Sequence, residues 1–382
     1  KSNNKIVADI PIEPLANGLI YDRAHKKIQY SLDKIRINTK NNWKSSLTKL
    51  LNEPDLTSKE WIWEQYDHMV MGDTIGFPGS ESGVIRIHGS NKAIAVTTDC
   101  TPRYCANNAK LGACQAVVES YRNLCAVGSK PLAVTDCLNF GNPESPHVMR
   151  QIIDSIKGIS LACKALSMPV VSGNVSLYNE TEGESIPPTP QIGAVGVIKD
   201  VNKYVSNFPS EPNNQNIILL GDTKGHLSCS IYAQKIENIN KGTPPPIDLK
   251  KELKYGIFIQ ELCSEEFITS CRDLSDGGLG IALTELCLMS KIGCRIESQN
   301  SNIIAWLFGE DQSRYIITCT DINLNNIIEK ARNKNISAEV IGRLVGKNFE
   351  VTEQSKKTDK ISIDKLENIR NNWFKDYISI IN

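Results

Sequence analysis

The chain has 382 residues, 40% of them hydrophobic and 23% charged, and its 43 Lys plus Arg balance 43 Asp plus Glu. At about 150 residues per domain, that length implies two domains and an extra segment, with ample apolar material for a core. A net charge of zero argues against a general nucleic-acid binder, which carries a basic excess, and no long apolar run or secretory leader pattern points to a membrane.

Twelve cysteines could suggest metal or disulfides, but none forms a CxxC pair and most lie in apolar stretches. They are expected to be scattered reduced thiols of a cytoplasmic protein. The Asn-x-Ser/Thr triplets at Asn174, Asn179 and Asn335 would matter only in a secreted chain.

In chain order, the first sixty residues read as a leader or linker. Residues 6–12 look extended, Tyr21-Asp22-Arg23 looks like a turn, and 43–51 has the spacing of a short helix with Leu47, Leu50 and Leu51 on one face. Residues 84–87 and 93–98 read as strands paired about Gly89-Ser90-Asn91. Apolar residues recur at three and four through 111–127, predicting a helix that Gly128 ends. A strand at 132–135, a helix at 148–166 and strands at 170–172 and 193–198 complete a mixed α/β domain. A Pro- and Asn-rich stretch, 208–216, marks the boundary. Beyond it, strands are expected at 217–221, 267–271, 315–319 and 340–345, and helices at 255–263, 279–289 and 324–332. A charged tail follows, ending in a helix around 364–377. Two α/β domains in tandem result.

Three predicted strands stop at oxygen-bearing side chains: Asp99, Asp136, and Asn174 after Gly173. Ligands of open α/β sheets collect outside the carboxyl ends of strands, so these ends could converge. Carboxylate and amide oxygens suit Mg²⁺, which keeps waters and bridges to phosphates. The competing reading is that Asp99 and Asp136 cap turns. The loop at 139–143 and the polar, proline-containing loop at 176–190 adjoin the same ends, and the second is long for a mere connection. In the second domain, Asp273-Leu274-Ser275-Asp276-Gly277-Gly278 opens a helix and reads as an N-cap or a metal-assisted phosphate site. The five histidines show no zinc spacing, and no Walker-type loop is present.

The runs Tyr66-Asp67-His68-Met69-Val70, Thr98-Asp99-Cys100-Thr101-Pro102-Arg103-Tyr104, VTDCLNFGNPE (134–144) and SGNVSLYNET (172–181) closely resemble the phosphoribosylformylglycinamidine synthase family, in its small multi-subunit form. Asp273 to Leu283 resembles a signature of the wider superfamily that includes aminoimidazole ribonucleotide synthetase. The resemblance implies an α/β (α+β) fold of two tandem domains, A-type over 61–200 and B-type over 201–382. Residues 1–60 would be the end of a preceding half and its connector. The chain resembles only the second of the family's two homologous halves.

The implied reaction is ATP-dependent conversion of formylglycinamide ribonucleotide to the amidine in purine biosynthesis, with ammonia from glutamine. The implied partners are the first half, a glutaminase subunit and a small bridging subunit, with ATP and Mg²⁺ as cofactors. By resemblance Asp136 and Gly173 contact ATP, Asn174 binds Mg²⁺ and Ser176 contacts substrate, whereas Asp99 corresponds to no contact. The family's catalytic histidines, ATP-contacting lysine and further acidic ligands lie in the first half, so no catalytic residue is expected here. The first half's A domain would pack on the exposed sheet of this one; without it, a homodimer of the fragment is expected. The alternatives are a stand-alone synthetase or kinase completing its site by dimerisation, and a non-catalytic structural half.

Overall fold

The computed structural model describes residues 1–18, 20–30, 37–354 and 357–381. The apolar stretch near the N-terminus joins no strand among the described residues. It leads into a short helix, α1 (Ile12–Asn17), and Ile6, Val7, Ile10 and Ile12 stay exposed. Helix α2 (Trp43–Leu51) is capped by the Asn42 side chain, which accepts from the N–H groups of Lys44 and Ser45. Its Trp43, Leu47, Leu50 and Leu51 are buried with Leu283, Phe308 and Phe349 of the C-terminal region. A helix expected in a connector is therefore core material of the second domain. The one-turn α3 (Glu60–Trp63) follows.

The first domain is a six-stranded sheet under a layer of helices. Its elements are β1 (Thr74–Gly76), β2 (Gly83–Arg86), β3 (Ala93–Asp99), α4 (Pro102–Asn107), α5 (Ala109–Ala126), β4 (Lys130–Asn139), α6 (Pro146–Leu166), β5 (Val170–Ser176), a small hairpin β6 (Glu180–Thr181) and β7 (Glu184–Ser185), and β8 (Thr189–Ile198). The strand order is β1-β2-β3-β8-β4-β5, with only β4 and β5 parallel. Along β3 the chain alternates, Ala93 and Ala95 facing the helices and Ile94 and Val96 facing out. α6 lies so close to α5 that a Cβ on Gly158 would sit 2.0 Å from the Lys110 carbonyl oxygen. Among the described residues nothing buries the far face of the sheet, and Ile85, Ile94 and Val96 are exposed on it.

The second domain runs β9 (Asn216–Leu220), α7 (Ile231–Ile236), α8 (Leu249–Ser264), β10 (Ser270–Asp273), α9 (Gly278–Ser290), β11 (Cys294–Ser298), α10 (Ile303–Phe308), β12 (Tyr315–Cys319), α11 (Asp321–Asn333), β13 (Ala338–Leu344), β14 (Asn348–Glu353), β15 (Lys357–Ser362) and α12 (Ile363–Ile381). Its sheet order is β10-β12-β9-β13-β11-β14-β15. All five residues of β9 and of β12 are buried, because both faces are covered. Ile218 and Leu220 point into a core shared with α5 of the first domain and with α8. Ile217 and Leu219 point into a second core with α2 and α9. The stretch read as a charged tail forms β14 and β15 instead; its apolar residues alternate too sparsely to stand out, but Phe349, Val351 and Ile361 bury one face.

Candidate functional site

Asp99, Asp136 and Gly173 fall in one row across the sheet, although only Asp99 ends its strand. Asp99 of β3 pairs with Ile192 of β8, Ile192 with Asp136 of β4, and Asp136 with Gly173 of β5. Paired residues share a face, so Asp99 and Asp136 both point toward the helices, two strand spacings apart, roughly 10 Å. Asp136 has no hydrogen-bond or ion-pair partner among the described residues, and burial pushes its carboxyl pKa up. A Cβ on Gly173 would lie 2.4 Å from Asp136 Oδ1, so only glycine leaves the carboxylate its place. Those two candidates form one unit.

Asn174 lies one residue further and pairs with Cys137, so its side chain leaves from the opposite face. Asp136 and Asn174 were expected side by side beyond neighbouring strand ends. Instead both lie within strands and flank β5 from its two faces. The reason is local: β4 continues past Asp136 because Leu138 and Asn139 still pair with Pro190 and Thr189. β5 is an edge strand, exposed from Val170 to Val175, so both of its faces are open along that edge. Ser176, the last residue of β5, is on the Asn174 face, and its hydroxyl donates to Asn179 Oδ1 at 3.1 Å.

The loops beyond the strands are tied together. Glu180 accepts from the Asn142 N–H at 3.0 Å and from the Ser185 hydroxyl at 2.8 Å. The Tyr178 hydroxyl donates to Glu144 at 3.1 Å and receives Arg23 at 3.2 Å, so the N-terminal stretch reaches this loop.

Asp99 has different surroundings. Ser120 and Asn123 of α5 donate to it at 2.8 and 2.9 Å, and Thr97 at 3.1 Å. Burial nevertheless raises its pKa to about 7. It lines a cleft of about 470 Å³ between the domains, with Glu81, Asp273, Asp276, Glu285 and Arg272. Burial raises Glu81 to about 8, although Arg272 stands 3.3 Å away. Glu81 and Glu285 carried no sequence signal, because they come to the cleft from a turn and a helix interior far apart in the chain.

The Asp273–Gly278 motif does not cap a helix with its side chains. Gly277 takes the N-cap position at φ 77°, where a left-handed conformation favours glycine, and no side chain bonds there. Asp276 instead receives Arg103 at 2.8 Å, and Asp273 receives Arg122 at 3.3 Å. The N–H of Gly277 donates to buried Glu310 at 2.9 Å, which also accepts Arg103 and Tyr104. Two arginines of the first domain thus occupy the acids of the second. Among the described residues, no group of three or more His, Cys, Asp or Glu side chains is arranged to hold a metal ion.

Two domain families match this architecture. The N-terminal domain of AIR synthase related proteins matches residues 79–198, and the C-terminal domain matches 213–353. The chain belongs to the AIR synthase related family. Within it, the chain is 41% identical over 385 aligned positions to the phosphoribosylformylglycinamidine synthase subunit PurL of Caulobacter vibrioides, with 99% of this chain and 51% of the relative covered. The chain spans about half the length of the curated relatives it matches. T. maritima PurL complexed with FGAR superposes with a TM-score of 0.72 at 18% identity, over 86% of this chain and 54% of that one. The same protein complexed with ATP gives 0.68 at 18%, over 86% and 52%. At such identity the superpositions establish a shared fold. No helix among the described residues is long and apolar enough to cross a membrane.

Proposed function

We propose that this chain is half of a PurL-type synthetase and supplies part of its nucleotide and substrate site. The observation that carries the reading is homology to PurL along essentially the whole chain, at 41% identity, over about half of that subunit. In the reaction, the glycinamide carbonyl oxygen of formylglycinamide ribonucleotide takes the γ-phosphoryl of ATP, releasing ADP. Ammonia then adds at that carbon and inorganic phosphate leaves, giving the amidine. Asp136, held free against Gly173, is the group for ATP. A half-buried carboxylate without internal donors is otherwise a cost to the fold.

The donor set fits Mg²⁺ in kind. Mg²⁺ takes oxygen ligands and needs only one or two from protein when it bridges to phosphates, and the exposed Asn174 amide offers one. When bound, the ion would neutralise charge on the transferring phosphoryl group. This chain's own residues bind and orient: Asp136 at the nucleotide, Asn174 at the ion and Ser176 at the ribonucleotide. The twelve free cysteines fit a reducing, cytoplasmic setting.

The site is completed in this reading by the first half, docked on the bare face bearing Ile85, Ile94 and Val96. The glutaminase and bridging subunits belong to the same assembly and deliver ammonia. An assay of the 382-residue chain alone with ATP, Mg²⁺, formylglycinamide ribonucleotide and ammonium is expected to be blank, beside an active full-length control. Turnover at enzymatic rates would place a complete site within this half and overturn the reading. Light scattering is expected to show self-association of the chain alone that Ile94→Lys abolishes; a monomer at all concentrations would remove the docking face.

A further inference from the structure

The Asn179 side chain, in the loop after β5, makes three hydrogen bonds, and all of them go to Ser176 or to the loop after β4. Its Nδ2 donates to the carbonyl oxygens of Phe140 and Ser176, both at 3.0 Å. Its Oδ1 accepts from the Ser176 hydroxyl at 3.1 Å. Backbone bonds reinforce the junction: Phe140 N–H to Ser176 O at 3.0 Å, Asn179 N–H to Phe140 O at 3.2 Å and Tyr178 N–H to Gly141 O at 3.0 Å.

The amide cannot be turned round. Carbonyl oxygens only accept, so the NH₂ group must face Phe140 and Ser176, and the amide oxygen must face the hydroxyl. A serine hydroxyl has one proton, and Asn179 takes it. What Ser176 Oγ still offers outward is lone pairs alone.

We infer that Asn179 is a positioning residue that fixes Ser176 as a hydrogen-bond acceptor, so that Ser176 recognises an N–H or O–H donor of the ribonucleotide rather than its phosphate. The inference rests on the proposed reading of Ser176 as a substrate contact. A phosphate oxygen would need the proton that Asn179 already holds. An amide N–H or a ribose hydroxyl meets the free lone pairs directly.

The backbone between the two residues supports a built arrangement. Tyr178 sits at φ 60°, a left-handed conformation that a bulky residue adopts only where its surroundings over-determine it. Here Glu144 and Arg23 hold the tyrosine hydroxyl. The resulting reversal brings the Asn179 amide back onto Ser176, three residues earlier.

The test uses the full-length synthetase with Ser176→Ala, Asn179→Ala and the double variant, reading KM for formylglycinamide ribonucleotide, kcat and melting temperature. Each single variant is expected to raise KM roughly three- to tenfold, the range of one lost neutral hydrogen bond, with a smaller change in kcat. In the Ser176→Ala background, Asn179→Ala is expected to add less than about twofold, because its partner is gone. Inhibition by inorganic phosphate is expected to be unchanged in all three.

An unaltered KM in Ser176→Ala would sink the substrate-contact reading itself. A KM effect of Ser176→Ala beside an undiminished, additive effect of Asn179→Ala would leave that reading standing and overturn the positioning role. Loss of phosphate inhibition in either variant would overturn the assignment of Ser176 as acceptor. If Asn179→Ala unfolds, Asn179→Gln carries the same cycle: it keeps an amide but moves its oxygen off the hydroxyl, and an unchanged KM there would also overturn the inference.

Discussion

Asp99 and Asp136 stand in one register row, each closing an apolar, β-branched run, yet the fold treats them in opposite ways. Asp99 meets Ser120 and Asn123 of α5 and is satisfied by three donors. Asp136 looks across to Gly173 and to Cys163 of α6, and receives no hydrogen bond. A carboxylate engaged by a helix is built into the domain; one left without donors beside a glycine stays open to a partner from outside it. An acid at a strand end is therefore uninformative until the element packed over it is known.

The widest separation between the two is expected in turnover. In the full-length synthetase, Asp136→Ala should cut kcat/KM on the order of a hundredfold or more while the melting temperature hardly moves, as the proposed contact with the nucleotide requires. Asp99→Ala should do the reverse. Stripping the acceptor from Ser120 and Asn123 costs about 1–3 kcal/mol of stability, with activity following the folded fraction. The comparison breaks if Asp136→Ala loses stability and activity together, since that assigns Asp136 to the scaffold as well.

A smaller effect tests whether Gly173 acts through Asp136. The added methyl of Gly173→Ala would meet the carboxylate at 2.4 Å and must displace it. Binding of ATP, measured by titration calorimetry, should weaken roughly tenfold in Gly173→Ala, a displacement cost of about 1.4 kcal/mol. In the Asp136→Ala background the same substitution should cost almost nothing, because the atom in the way is gone. A full effect in both backgrounds would mean that Gly173 serves the backbone's approach to the ligand and not the carboxylate.

Much of this was legible in the chain itself. The α5 periodicity, the strand end at Asp99 and the tandem α/β order follow from spacing and turn residues, whereas β4 and β5 run on past Asp136 and Asn174. What stayed hidden is non-local. The side on which Asn174 emerges depends on register with β4, which no local pattern encodes. The pairing of Arg103 with Asp276 spans 173 positions and replaced an expected helix cap. Glu81 and Glu285 carry no mark of the cleft they line. β14 and β15 were lost among charges because each buries only one or two apolar residues on a single face.

The smallest expected effect concerns pH, and it separates the cleft from the edge. Burial raises Asp99 from 3.8 to about 7 and Glu81 from 4.5 to about 8. Both are acids with folded-state values above the unfolded ones. Between those values the native state keeps protons that the unfolded chain has released. Their stabilising contribution is complete below the unfolded values and declines as pH rises through the folded ones. The melting temperature of the chain should accordingly drift down between pH 5 and pH 8. Glu81→Gln and Asp99→Asn should each flatten that drift, because a neutral amide has no proton to lose. Asp136→Asn, on β4 beside the edge strand, should leave most of the slope in place. Equal flattening by all three would mean that the Asp136 carboxylate is as deeply committed to the fold as the cleft acids, and the contrast between the two ends of the row would fail. A slope untouched by Glu81→Gln would instead show that Arg272 keeps Glu81 charged throughout, the ion pair outweighing burial.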